Sequence, residues 1–279
     1  MPTIYEPKNL NSLLNIIKRH PYSIIFSGGL ETVLSSNTRI PLLPDNIVYI
    51  GKIEELQKMK RSERYLEIGC GTRISHIIDK GKNIIPIILL EALKKITPPN
   101  LKNILTIGGL LCSKIERNSV FAVLCILDAA LEIRSAGSSR WINTSQLFNG
   151  DIIDIAPDEI LTKIRLFLGD YDINIHREID NDFSDNGNLI TFSAIAKITK
   201  GNISLLKFIF SISDQFIIRN KEIEAELTGQ NLPVTDKSFA ISVAHFSDEL
   251  SKKYSTISPY RQDIIKNVFS WFLDELNYY

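Results

Sequence analysis

Two spacings of apolar residues alternate along this chain and outline its elements. Leu10, Leu13, Leu14, Ile16 and Ile17 recur at helical spacing after Pro7, a helix start signal. Residues 22–26 then form a short β-rich run that stops at Ser27-Gly28-Gly29, as a strand entering a tight turn does. Ile47-Val48-Tyr49-Ile50 and Tyr65-Leu66-Glu67-Ile68 predict two more strands, joined by a short helical stretch at 54–59. Residues 85–96 keep a helical period until Pro98-Pro99 breaks it. Residues 104–107 read as a strand leading into a second pair, Gly108-Gly109. The nearly all-apolar stretch 120–127 predicts a buried helix, and 130–133 and 160–167 predict strands, with turns at Ser138-Ser139 and Pro157-Asp158.

The pattern changes near Gly169-Asp170. Beyond it come alternating strands at 173–175, 189–198 and 204–212, then two helical stretches, the last keeping Ile264, Ile265, Val268, Phe269, Phe272, Leu273 and Leu276 on one face. We therefore expect two α+β domains, 1–169 and 170–279. The 279 residues allow one or two domains at roughly 150 residues each.

Composition removes several classes of function. The 32 Lys and Arg balance the 32 Asp and Glu, so the basic surplus of a nucleic-acid binder is missing. The longest apolar run, near 84–90, is interrupted by Pro86 and is well short of the roughly 18 residues that span a membrane. No signal-peptide pattern opens the chain, and three scattered cysteines do not make a disulfide framework. The expectation is a soluble cytoplasmic protein.

Side-chain chemistry is equally sparse. The four histidines are far apart, no HxxxH, HExxH or CxxC pattern occurs, and three cysteines are too few for an iron–sulfur cluster, so no metal site is expected. No GxSxG elbow exists, and Cys112 reads as a small buried apolar residue. No catalytic side chain is predicted. What remains are the segments Ser27-Gly28-Gly29-Leu30-Glu31 and Thr106-Ile107-Gly108-Gly109. Such turns can aim backbone N–H groups at a phosphate, though a Gly-Gly after a strand is more often only a turn. Neither fits GxGxxG or a P-loop.

Taken together these segments resemble the FAD-binding subunit of molybdenum hydroxylases, the family of the carbon monoxide dehydrogenase medium subunit and the xanthine dehydrogenase flavin domain. Tyr5-Glu6-Pro7 is similar to the family's opening, and the first Gly-Gly segment to its Ala-Gly-Gly-Thr-Asp flavin loop. Ile68-Gly69-Cys70-Gly71-Thr72 resembles the Ile-Gly-Ala stretch before a helix. Residues 99–103 and 105–109 are similar to the Gln-Ile-Arg-Asn and Ala-Thr-Ile-Gly-Gly-Asn signature, followed by Leu127-Asp128-Ala129. Pro157-Asp158-Glu159-Ile160, the segment with Glu224, Leu227 and Gly229, and Ser258-Pro259-Tyr260-Arg261 continue the match in order.

The resemblance implies a two-lobed, vanillyl-alcohol-oxidase-type FAD-binding domain followed by a small antiparallel sheet with helices. It implies an FAD-dependent oxidoreductase subunit, active in complex with an iron–sulfur subunit and a molybdopterin-binding large subunit, passing electrons to NAD or another acceptor. The implied cofactor contacts are Ile24, Ile25, Phe26, Ser27, Gly28, Gly29, Leu30 and Glu31 in the first loop. Thr106, Ile107, Gly108, Gly109 and Leu110 form the second, with Asn118, Ile96, Leu161 and Arg177 as further contacts. For Ile96 and Leu161 core packing is the competing reading, and for Arg177 an exposed strand charge. The chain departs from the family at Leu30, where Thr or Asn is usual, at Leu110, where Asn is usual, and at Asn118, where Asp is usual. These departures keep a second reading open, a scaffold paralogue with weakened flavin binding. The loops carry Glu31 and Glu116 with little basic charge beyond Lys102, Lys114 and Arg117, so anion recognition is expected to rest on backbone N–H groups.

Overall fold

The first helix starts where Asn9 can cap it. In the computed structural model, which describes residues 2–29, 43–96, 99–113, 118–144, 155–179, 189–212 and 216–279, the Ser12 N–H donates to Asn9 Oδ1 at 2.9 Å and the Asn9 N–H to Ser12 Oγ at 3.3 Å. This reciprocal cap opens α1 (Leu10–Arg19), whose apolar face buries Leu13, Leu14 and Ile17. Strands β1 (Thr3–Tyr5), β2 (Ile24–Phe26) and β3 (Asn46–Tyr49) form a parallel sheet in the order β1-β3-β2, with Ile47 paired to Ile4 on one side and Ile24 on the other. Val48, Ile50, Ile53, Leu56 and Ile160 complete the core under α1.

A second sheet is antiparallel and five-stranded. Its strands are β4 (Met59–Arg61), β5 (Tyr65–Gly69), β6 (Ala130–Arg134), β7 (Ser139–Asn143) and β8 (Ile160–Phe167), ordered β4-β5-β8-β6-β7. Period-two alternation separates its faces. Leu66, Ile68, Leu131, Ile133, Ile164 and Leu166 are buried on one. On the other, Arg165 meets Glu67 at 2.6 Å, and Lys163 lies 3.6 Å from Glu67 and 3.7 Å from Glu132. Beside α1, four further α-helices among the described residues belong to the same unit: α2 (Ile74–Gly81), α3 (Ile87–Lys95), α4 (Ile107–Cys112) and α5 (Asn118–Ile126). Residues 120–126 of α5 are buried all round, as a helix without a polar face must be.

The chain divides into two compact units, Met1–Gly169 with Ser213–Phe216, and Asp170–Ile212 with Ile217–Tyr279. In the second, β9 (Ile173–Ile179), β10 (Ile190–Thr199), β11 (Asn202–Ile212) and β12 (Phe216–Ile218) form an antiparallel sheet ordered β12-β11-β10-β9. Helices α6 (Lys221–Leu227), α7 (Asp236–Lys253) and α8 (Pro259–Leu276) follow. Phe192 and Phe210 are cross-strand partners with ring centroids 4.7 Å apart. Phe208 packs on Phe269 at 4.8 Å, and Phe246 on Phe269 at 4.6 Å, so sheet and helices share one aromatic core. Buried Glu224 bonds both the Arg219 guanidinium and the Phe208 N–H, which fastens α6 to β11.

Three features differ from the sequence expectation. Residues 104–107 are not a strand, because the Thr106 hydroxyl accepts from the Gly109 N–H at 3.2 Å and starts α4 at Ile107. The chain ends in three helices rather than two, since the seven-residue α6 is too short to show a period. Ser139 begins β7 instead of lying in a turn.

Candidate functional site

Both Gly-Gly segments are glycine because backbone passes close by, and they differ in what their amides do. A Cβ on Gly28 would lie 2.0 Å from the Ile104 carbonyl oxygen, so a side chain there would push the β2 end away from residues 104–105. The Ile50 N–H holds the Phe26 carbonyl at 2.9 Å, and Gly29 then turns the chain with φ +74°. The N–H groups of Ser27, Gly28 and Gly29 donate no hydrogen bond among the described residues. They are three consecutive unused donors at the end of a strand.

In the second segment the donors from Ile107 onward are occupied, while the Thr106 N–H donates no hydrogen bond among the described residues. The Ile107 N–H bonds the Thr72 carbonyl at 3.0 Å, Gly108 the Cys70 carbonyl at 2.8 Å, Gly109 the Thr106 hydroxyl at 3.2 Å, and Leu110 the Thr106 carbonyl at 2.9 Å. A Cβ on Gly108 would lie 2.6 Å from Cys70 Cβ, so this glycine lets α4 pack directly on the chain after β5. The expectation that both segments offer amides to an anion is therefore corrected. The first offers them and the second forms a wall.

Between them lies a cavity of about 390 Å³. Of the sequence-proposed contacts, Ile24, Ile25, Ser27, Gly28, Gly29, Thr106, Gly108, Gly109 and Leu161 line it. Phe26 is not among the lining residues, and its ring lies beneath Gly29 instead. Ile107 and Leu110 are buried in the core, so the departure at Leu110 replaces no side chain of the cavity wall. Ile96 follows α3 and is also absent from the lining. Arg177 belongs to the second unit, exposed on β9 with its guanidinium 6.0 Å from the Trp271 ring centroid. Leu30, Glu31, Lys114 and Arg117 fall outside the described residues, as does the Asn118 side chain.

The lining adds residues that composition and motif had passed over. Ile50, Leu105, Ile155 and Ile160 extend the apolar wall, and Cys70 and Cys112 both reach it. Cys112 is exposed, not buried as expected, while Cys70 and Cys125 are buried. Burial pushes the Cys70 thiol well above its ordinary value, with Cys112 and Glu132 adding to the effect, so Cys70 is a neutral thiol rather than a nucleophile. Glu159 also lines the cavity. Arg140 grips its carboxylate through two bonds of 2.9 and 2.8 Å, and the Ala156 N–H adds one at 3.0 Å. The Arg140 bonds, seconded by Ala156, hold this carboxyl below its ordinary range, so it is ionised at neutral pH. No group of three or more His, Cys, Asp or Glu able to hold a metal occurs among the described residues. Nor, among them, is any helix long and apolar enough to cross a membrane.

Residues 1–166 match the family model described as the FAD binding domain in molybdopterin dehydrogenase. The chain belongs to this family. The glyceraldehyde dehydrogenase medium chain of Sulfolobus acidocaldarius is 25% identical to it over 229 residues, covering 81% of this chain and 80% of that one. The xanthine dehydrogenase FAD-binding subunit of Escherichia coli O157:H7 is 25% identical over 243 residues, covering 82% and 80%. Quinoline 2-oxidoreductase from Pseudomonas putida 86 shares the fold, with a TM-score of 0.77 at 15% identity over 99% of this chain and 96% of that one. The resemblance read from the motifs holds, and so does the α+β fold. Membership in the molybdopterin dehydrogenase FAD-binding family makes the chain an oxidoreductase subunit with FAD as its cofactor.

The cavity suits that cofactor. A dinucleotide presents acceptor-rich phosphates and flat, largely apolar rings. Three backbone donors without an acceptor among the described residues belong to the lining of a cavity walled mainly by Ile, Leu and Gly, so each part meets matching chemistry.

Proposed function

We propose that this chain is the flavin subunit of a molybdenum-hydroxylase-type complex, relaying electrons from an iron–sulfur subunit beside a molybdopterin-binding subunit to NAD or another acceptor. The observation that carries the reading is the amide row at 27–29, without an acceptor among the described residues, beside an apolar cavity that the second glycine segment also lines. Bound FAD would supply the redox chemistry, exchanging one or two electrons.

The residues then act by holding and orienting. The Ser27, Gly28 and Gly29 N–H groups would donate to the diphosphate oxygens, and backbone donors need no side chain at Leu30 to act. Ile24, Ile25, Ile50 and Leu161 exclude water from a ring. Glu159 lines the same cavity with its charge already paired to Arg140, so this part of the wall would bring no net charge to the cofactor. Asn118 remains part of this proposal as a cofactor contact.

The purified chain is expected to be yellow, to show a flavin absorption spectrum, and to release about one FAD per chain on denaturation. A colourless preparation that takes up no FAD on reconstitution contradicts the reading and favours the scaffold paralogue.

A further inference from the structure

We infer that Arg73 is the counter-charge for the cofactor's diphosphate and the residue that makes this site prefer FAD to an uncharged flavin. This deepens the proposed function and rests on it. A second, more polar cavity of about 110 Å³ adjoins the first turn, lined by Ser27, Gly28, Tyr49, Thr106 and Arg73 among others. Ser27, Gly28 and Thr106 line both cavities, so the two meet at the first turn. Among the described residues Arg73 is the only Lys or Arg lining either.

Its backbone is fixed. Arg73 bridges Thr106, the Ile74 N–H bonds the Leu105 carbonyl at 2.9 Å, and the Arg73 carbonyl accepts from Ile77 at 3.0 Å. Its side chain is exposed and makes no ion pair among the described residues, whereas Lys102 donates to the Lys94 carbonyl. A planar guanidinium matches two phosphate oxygens, and a diphosphate held only by neutral amides would keep its charge uncompensated. Sequence distance hid this residue, because Arg73 stands far along the chain from Gly28 and the strand-to-helix connection after β5 brings it back.

The test is flavin-fluorescence titration of the apoprotein with FAD and with riboflavin, at low and high salt, for wild type, R73Q and R73K. R73Q should weaken FAD by roughly 10- to 100-fold, leave riboflavin within about twofold, and flatten the salt dependence, while R73K recovers part of the loss. If R73Q binds FAD as wild type does with the same salt dependence, or loses FAD and riboflavin equally, Arg73 is not the counter-charge. Should riboflavin bind too weakly to measure, the salt dependence of FAD binding decides between these outcomes. A wild-type chain that binds no FAD at all fails the proposed function itself, a distinct result.

Discussion

Ser27-Gly28-Gly29 and Thr106-Ile107-Gly108-Gly109 look alike as sequence, and they do opposite things. In the first, three amides point to no protein acceptor among the described residues; in the second, four successive amides are bonded to Thr72, Cys70 and Thr106. Both glycines nearest the contact exist for close packing, Gly28 against Ile104 and Gly108 against Cys70. Glycine therefore tells where backbones approach. It does not tell which amides remain free to bind a ligand.

The comparison can be broken most severely at the two packed glycines. Gly28→Ala must displace the turn itself, so it should cost about 3 kcal/mol of stability and weaken FAD by about 100-fold. Gly108→Ala should cost about 2 kcal/mol in chemical denaturation yet leave FAD affinity of the folded protein within about threefold. Equal losses of affinity in the two variants would erase the distinction. A smaller effect is expected at the helix cap: Thr106→Ala should cost about 1 kcal/mol, and Thr106→Ser should restore it, because the hydroxyl caps α4.

The smallest effect concerns the charge that faces the cavity. The folded carboxyl of Glu159 titrates below its ordinary value of 4.5, so its stabilisation is complete above that value and is lost as pH falls through the lowered one. Glu159→Gln should therefore lie about 0.5–1 kcal/mol below wild type at neutral pH and converge with it in acid. Stability curves that stay parallel down to acid pH would show that the Arg140 pair contributes nothing.

Long elements were legible because their periods had room to appear. Strands β8, β10 and β11, helix α8 and the largely apolar α5 all announce themselves in sequence. Strands β1, β4 and β12 have three residues each, too few for any alternation, and they are set by pairing with partners. The run 104–107 was misleading because a short apolar stretch suits strand or helix, and only the Thr106 hydroxyl decides it. At the site, motif reading brought together Ile24, Gly28, Thr106, Gly109 and Leu161, which line one cavity. It could not see which amides were occupied, since their acceptors at Cys70 and Thr72 lie more than 30 residues earlier. Arg73 and Glu159 were missed as charges of the site for the same reason: their place depends on long-range packing.

Amide hydrogen exchange on the apoprotein and its FAD complex tests the central claim most directly. Residues 27–29 should exchange freely without FAD and become protected with it, while 107–110 should be protected in both states and change little. Protection that rises at 107–110 and not at 27–29 would contradict the account.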